Sequence, residues 1–312
     1  MTQTTAPSPL PLSEADTVPS LYRSLLAVLE NTLTVPSDRP DETPRATLNC
    51  LWALAAGQPL AISQANQAVI GELDPTAQEV VQTLVKRRLN GELLPYLVGR
   101  QDFMGIVLTI NTAALVPRRE TELLGRTALD CLRTSTAVEP WVADLCTGCG
   151  NLALALAVQA PHAKVWGSDL SEDAVALAAA NAQFINRPDV TFVSGDLAAP
   201  FESDAFLGKF DIVTCNPPYI SAAKLDGPYK ESHRHEPRLA FDGGPYGIKI
   251  IQRLIQDAPR LLKPGGWLLF EVGLGQGEPI RQRLARNPVF DVIGTHPDSN
   301  GDIRVLAARR KS

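Results

Sequence analysis

Trp141-Val-Ala-Asp-Leu-Cys-Thr-Gly-Cys-Gly150 decides the fold. A short, mostly apolar run over 141–145 with an acid, Asp144, near its end, followed by a glycine-bearing turn, reads as a strand that stops and reverses into a helix. That helix follows directly over residues 151–159, where Asn151 leads into alternating Leu and Ala before Val158 and Gln159. Gly148 and Gly150 let the backbone turn sharply and pass close to a ligand. The helix N-terminus then faces the ligand and favours a carboxylate there.

Outward from this turn, helices and strands alternate. A helix over 120–132 precedes it. After it come strand 164–168, helix 172–184, strands 190–193 and 210–215, helix 246–262, strand 267–272, helix 278–286, and two last strands near 289–294 and 304–308. Repeated βα units predict a parallel sheet covered by helices on both faces, with ligands bound outside the carboxyl ends of the strands. On the N-terminal side, Phe103, Ile106, Leu108 and Ile110 predict a hairpin leading into Pro117. The first ~95 residues read as a small helical module. Its first helix is expected to be capped by Ser20, to carry Leu21, Leu25, Val28, Leu29 and Leu33, and to end before Pro36 and Pro40. A second helix over 47–56 stops at Gly57. A third opens at Asp74-Pro75, presents Ala77, Val81, Leu84 and Val85 on one face, and ends at Asn90-Gly91. Pro7, Pro9 and Pro11 do not suit regular structure.

Composition narrows the function classes. Of 312 residues 45% are hydrophobic and 20% charged, as in ordinary globular enzymes. No run approaches the ~20 apolar residues that span a bilayer. Residues 1–16 have neither a basic start nor an apolar core, so no secretory signal is expected, and the expected compartment is the cytoplasm. A net charge of −5 disfavours a partner bound through its phosphates. The five cysteines, Cys50, Cys131, Cys146, Cys149 and Cys215, are too few and odd in number for a disulfide framework. Cys146 and Cys149 have the C-x-x-C spacing, but a structural zinc site needs a second ligand pair, so they read as small residues filling a tight turn. His233 and His235 read as a polar loop, and no metal is expected.

Three further stations follow the sheet. Asp169, at the end of the second strand and about 20 residues after the glycine turn, is placed to take two ribose hydroxyls; it also precedes a helix start at Ser171. Asp196 and Leu197 follow the third strand, where the acid can accept from an adenine amino group and the leucine can lie against the ring. The decisive group is Asn216-Pro-Pro-Tyr219, directly after the fourth strand. Two prolines freeze the backbone. The Asn216 side-chain oxygen and the Pro217 carbonyl are then two fixed acceptors, which suits an NH2 group with two hydrogens to give, and Tyr219 offers a flat face for a planar group.

Together these stations resemble class I methyltransferases that use S-adenosylmethionine (SAM), and Asn-Pro-Pro-Tyr marks the amino-methylating branch. Five more segments narrow the resemblance: Gly91-Glu-Leu-Leu-Pro-Tyr-Leu-Val-Gly99, Leu115-Val-Pro-Arg-Arg-Glu-Thr-Glu122, His235-Glu-Pro-Arg-Leu-Ala-Phe-Asp-Gly-Gly244, Glu271-Val-Gly-Leu-Gly-Gln-Gly277 and Asp298-x-x-Gly301-x-x-Arg304. They are similar to the HemK/PrmC family of peptide chain release factor N5-glutamine methyltransferases, over roughly residues 85–312. The chain departs from that family at Leu93, at Arg119 and across Tyr229-Lys-Glu-Ser-His-Arg234. These departures fall on substrate-facing loops rather than on the cofactor site.

The resemblance implies an α/β fold with a Rossmann-like seven-stranded sheet and a small N-terminal helical domain. It implies SAM as cofactor and S-adenosylhomocysteine as product. Cofactor contacts are expected from Asp144, Cys146, Thr147, Gly148, Cys149, Gly150, Asp169, Leu170, Asp196, Leu197 and Asn216. Asn216, Pro217 and Tyr219 are expected to act on the acceptor, with Pro218, Pro117 and Arg118 also facing it. The expected divisions are a partly disordered extension with one helix over 1–45, a helical docking domain over 46–98, a hairpin linker over 99–118 and the catalytic domain over 119–312. The expected partner is a release factor, with no DNA, no membrane and a monomeric enzyme. Gly273-x-Gly275-x-Gly277 is expected to be a mobile turn rather than a nucleotide loop. Two other readings stay open: the same core acting on another protein or a small-molecule nitrogen, and a non-catalytic SAM-binding module, against which the intact Asn216–Tyr219 speaks.

Overall fold

The computed structural model describes residues 18–227 and 234–312. Pro7, Pro9 and Pro11, and residues 229–233 of the divergent loop, including His233, lie outside the described residues. The chain divides between Val98 and Gly99 into two units.

The first unit is helical: α1 (Ser20–Thr32), α2 (Pro44–Ala55), α3 (Ile62–Ala65), α4 (Pro75–Leu89) and α5 (Leu94–Val98). Thr43 caps α2 by accepting from the Ala46 N–H, and Asp74 caps α4 by accepting from Ala77, each ahead of a first-turn proline. Ser20 does not cap α1. Pro19 holds that position with no side-chain bond, and Ser20 is already helical. The stripe on α1 is also turned from the expected one. Val28 is exposed while Tyr22 and Leu29 are buried, because the Tyr22 ring packs edge-on against Trp52 at 5.3 Å and its hydroxyl donates to Asn49 Oδ1 at 2.5 Å. α1 thus shares one core with α2, α4 and α5, built on Leu48, Leu51, Val81, Leu84 and Leu94. Glu42 and Arg88 form a buried ion pair at 2.7 Å. The short helices α3 and α5 were not legible as helices, since one turn carries no periodicity.

The second unit opens with the antiparallel pair β1 (Arg100–Phe103) and β2 (Ile106–Thr109). There follow α6 (Arg119–Thr134), β3 (Trp141–Leu145), α7 (Asn151–Gln159), β4 (Lys164–Asp169), α8 (Glu172–Phe184), β5 (Thr191–Ser194), β6 (Phe210–Cys215), α9 (Ala222–Asp226), α10 (Lys249–Leu261), β7 (Leu262–Glu271), α11 (Gly277–Ala285), β8 (Phe290–Pro297) and β9 (Ile303–Arg310). The large sheet has the order β5-β4-β3-β6-β7-β9-β8. Strands β3 to β7 run parallel, but β9 lies antiparallel between β7 and β8. The all-parallel expectation therefore fails at this edge. β8 and β9 are joined by a tight loop, too short for the crossover helix that a parallel pair requires. Asp298 closes that loop by accepting from the N–H groups of Asn300 and Asp302. α10 starts later than expected because Gly247, with φ +72°, breaks the helical run before it.

The order of the strands places the site. The chain runs outward from β3 to β5 and then returns to set β6 on the other side of β3. The strand order reverses between β3 and β6, and at such a switch point a crevice opens at the carboxyl ends of the strands. β3 ends at Leu145 and delivers Asp144 and the following Cys146 to this crevice, and β6 ends at Cys215 with Asn216 directly after it. Asn181 of α8 ties the hairpin down. Its Oδ1 accepts from the backbone and hydroxyl of Thr109, and its Nδ2 donates to the carbonyls of Thr109 and Cys149.

Candidate active site

A cavity of about 290 Å³ opens at this crevice within the second unit. Its floor is the turn after β3. Cys146 and Gly148 both have φ +56° and Gly150 has φ +80°. Gly150 is required on two counts: its conformation is left-handed, and an added Cβ would come within 2.9 Å of the Phe192 ring and 3.0 Å of Ala178. Gly150 also begins α7 without supplying a side-chain cap, and two of the first N–H groups of that helix are directed inward instead, Asn151 to the Cys149 thiol and Ala153 to the Asp144 carboxylate. Cys146, Thr147 and Gly148 line the cavity, whereas Cys149 and Gly150 lie behind the turn. The Cys149 thiol is fully buried and burial pushes it up to about 12, so it stays protonated. Among the described residues no group of three or more His, Cys, Asp or Glu is placed to hold a metal ion.

Asp144 is buried at the switch point. Its carboxylate accepts from the Thr147 hydroxyl at 2.6 Å and from the Thr214 hydroxyl of β6 at 2.8 Å, so it joins the two strands that frame the crevice. Burial outweighs those two bonds and a third from the Ala153 N–H, and raises its carboxyl to about 7, from an ordinary value of 3.8. Asp169 lines the same cavity. Its Oδ2 accepts from the Gly148 N–H at 2.8 Å and its Oδ1 from the Ser171 N–H at 2.9 Å. Burial raises its carboxyl too, against the pull of those backbone donors. Each oxygen retains a lone pair for a second donor. Leu170 is 55% exposed at the cavity, and Leu197 lines it with a left-handed φ of +50°. Asp196 lines it as well, but shares its charge with Arg253 at 3.0 Å.

The residues present are chemically compatible with SAM: the Asp169 carboxylate could take a diol, the exposed Leu170 side chain could lie against a ring, and the Asp144 carboxyl lines the same cavity, where it could face a cationic group.

The opposite wall is the loop after β6. Asn216 and Pro218 line the cavity, whereas Pro217 is buried behind them and Tyr219 turns its ring toward the sheet core. The Tyr219 hydroxyl donates to Glu271 Oε1 at 2.9 Å, and burial raises its pKa further above the ordinary tyrosine value. Asn216 Nδ2 donates to Thr121 Oγ1 at 2.9 Å, and that hydroxyl donates to Glu271 Oε2 at 2.8 Å. Arg304 Nη2 lies 3.3 Å from Glu271 Oε1.

The expected mobile turn at Gly273–Gly277 is bonded to this loop instead. Gln276 takes the Gly273 N–H on Oε1, and its Nε2 donates to the carbonyls of Tyr219 and Gly247. Gly247 must be glycine here, since its φ is +72° and a Cβ would sit 2.4 Å from the Tyr219 carbonyl oxygen.

Pro117 and Arg118 also line the cavity. Arg118 pairs with Glu236, whose other oxygen accepts from the Val116 N–H at 3.0 Å. The two segments 115–122 and 235–244 thus hold each other. Thr121, Glu236, Glu271, Gln276 and Arg304 were present in the quoted segments but had no role assigned from sequence; Asn181 carried no signal at all.

Residues 124–229 match the family model described as Methyltransferase small domain. The chain is 37% identical to a release factor glutamine methyltransferase of Geobacter sulfurreducens over 237 residues, 76% of this chain and 80% of that one. It is 34% identical to one of Moorella thermoacetica over 273 residues, 86% and 93% of the two chains. A third, from Xylella fastidiosa, is 39% identical over 240 residues, 76% and 83%. With such identity across most of both lengths, on a sheet whose switch point carries this site, the chain belongs to the release factor glutamine methyltransferase family.

Proposed function

We propose that the protein is a SAM-dependent protein-(glutamine-N5) methyltransferase. Its acceptor is the side-chain amide nitrogen of the glutamine in the Gly-Gly-Gln loop of a peptide chain release factor. The observation that carries this reading is the Asn216-Pro-Pro-Tyr219 loop at the carboxyl end of β6, facing the Asp169 side of one cavity.

SAM, when bound, supplies a methyl carbon activated by its sulfonium and leaves as S-adenosylhomocysteine. Asp169 would hold the ribose, Leu170 and Leu197 the adenine with Asp196 at its edge, and the turn of Asp144, Cys146, Thr147 and Gly148 the remainder. Cys149 and Gly150 act by shaping that turn. On the acceptor side, Asn216 Oδ1 and the Pro217 carbonyl accept the two amide N–H groups, with Pro218 flanking, Tyr219 bracing the loop from behind through Glu271, and Pro117 and Arg118 at the entrance. An amide nitrogen is a poor nucleophile because its lone pair is delocalised, so these acceptors must hold it while it pyramidalises. Positioning of this kind is worth ~7–11 kcal/mol. The nitrogen turns acidic as the new N–C bond forms, and its proton passes to water without a dedicated base. The helical unit of residues 18–98 supplies a second surface for a folded protein substrate. The acidic chain works as a monomer in the cytoplasm and does not act on DNA. Among the described residues no helix is long and apolar enough to cross a membrane.

Methyl transfer is expected to folded release factor far above a short Gly-Gly-Gln peptide, with none to an adenine-containing duplex. Activity on a metabolite pool with none on either protein substrate sinks the reading and favours a small-molecule acceptor.

Asp144 adds a pH signature. Unfolded chains ionise this carboxyl near 3.8, whereas the fold keeps it protonated to about 7. Between those values the unfolded state binds fewer protons, so stability from this group falls as pH rises and is level above 7. A cationic ligand beside Asp144 favours its ionised form. SAM binding at pH 7 is therefore expected to release protons, read by calorimetry in two buffers of different ionisation enthalpy. Asp144→Asn removes the difference; equal heats for the unaltered protein would take Asp144 away from the cation.

A further inference from the structure

We propose that Thr121 is a positioning residue that fixes which end of the Asn216 amide faces the acceptor, through a one-way hydrogen-bond relay that ends on Glu271. The inference deepens the reading just given and rests on Asn216 acting as an acceptor for the substrate amide.

The relay follows from donor and acceptor counts. Glu271 sits at 1% exposure at the end of β7. Three donors converge on it: the Thr121 hydroxyl at 2.8 Å on Oε2, and the Tyr219 hydroxyl at 2.9 Å and Arg304 Nη2 at 3.3 Å on Oε1. An ionised carboxylate only accepts. Burial raises its pKa on balance, with Glu120 adding to the rise, against the pull of the Thr121 bond, Arg304 and the Tyr219 bond; it is the convergence of three donors on its two oxygens that makes it the accepting end. Arg304 is itself anchored through Nε on the Val272 carbonyl at 3.1 Å. With its single hydrogen spent on Glu271, the Thr121 oxygen can only accept from Asn216. Asn216 must then present Nδ2 to Thr121, as observed at 2.9 Å. Its Oδ1 is left as the acceptor end for the cavity that Asn216 and Thr121 both line. An amide without this relay has two orientations of similar shape, and the flipped one offers N–H to a substrate N–H. Thr121 is 2% exposed on the first turn of α6, where its backbone is already fixed by a bond to the Arg118 carbonyl.

Two nearly isosteric changes probe the relay. Thr121→Val keeps the shape and removes the hydroxyl. Glu271→Gln removes the polarity: Tyr219 and Arg304 both donate and so hold the new carboxamide oxygen, the new NH2 turns to Thr121, and the Thr121 hydrogen, no longer spent on position 271, is free to be donated to Asn216 Oδ1 and favour the flipped amide. Both variants are expected to lower kcat by tenfold or more, with the calorimetric Kd for SAM within about twofold of the parent. Thr121→Ser retains the hydroxyl and is expected to stay within threefold of the parent kcat. Thr121→Val or Glu271→Gln, folded by thermal melt and keeping more than a third of parent kcat, overturns the relay. If Thr121→Val fails to fold, Glu271→Gln decides alone. Asn216→Ala in the same assay separates the two levels. If it is inactive while Thr121→Val is active, only the relay falls; if it is active, the underlying assignment of Asn216 falls with it.

Discussion

Asn216→Ala is expected to abolish turnover while the protein folds and binds SAM much as before. The substitution removes one of the two acceptors that hold the amide nitrogen, and its neighbours in the loop do not replace it: Pro218 has no donor or acceptor beyond its carbonyl, and Tyr219 directs its hydroxyl to Glu271. Positioning contributes ~7–11 kcal/mol, so losing half of the clamp is expected to cost several orders of magnitude in rate. The fold is expected to tolerate the change because Asn216 is half-buried at a loop, outside the packed strand, and among the described residues its side chain bonds to Thr121. Leaving Thr121 Oγ1 without that partner costs about 1 kcal/mol. A thermal melt, calorimetry with SAM and a methyl-transfer assay on one preparation test all three parts. Retention of more than about a tenth of the parent rate, equivalent to ~1.4 kcal/mol of barrier, would rule out the positioning role.

The strand, turn and helix from Trp141 to Gln159 were legible because each step has a local cause: an apolar run, glycines where φ is positive, then good helix formers. The same held for Asp169 and for Asn216-Pro-Pro-Tyr219, which announce themselves by standing directly after strands. The antiparallel edge was not legible, since a strand reads alike in either direction and only the short loop at Asp298 betrays the hairpin. The brace behind the site was hidden for a different reason. Thr121, Asn216, Tyr219, Glu271 and Arg304 come from a helix start, a loop and two strands between positions 121 and 304, and hydrogen-bond polarity among them exists only once they are assembled. Family resemblance marked the segments that carry them without saying what each side chain touches. Glu236 is the same case: an acid in a loop by sequence, the partner of Arg118 and Val116 in space.

Asp169→Ala is expected to weaken SAM binding ~30- to 1,000-fold, while thermal stability without ligand changes little. The two effects separate because Asp169 has two kinds of neighbour. Within the protein it accepts from the Gly148 and Ser171 backbones, bonds that favour the carboxylate, but burial raises its pKa and so charges a desolvation cost against them. Removing the side chain gives up both at once, and the opposing contributions offset one another. With SAM bound, the remaining lone pairs would accept two ribose hydroxyls, and charged hydrogen bonds of this kind are worth ~2–4 kcal/mol together when nothing replaces them. The stated loss is that energy expressed as affinity. Asp169→Asn sharpens the test. It keeps the volume, but its NH2 must face either the Gly148 or the Ser171 N–H, donor against donor, so it is expected to lose stability that the alanine variant retains. Calorimetry and a melt on both variants read this out. Unchanged affinity in Asp169→Ala would remove Asp169 from the cofactor site, and a melt that falls for alanine more than for asparagine would show that the carboxylate serves the turn rather than the ligand.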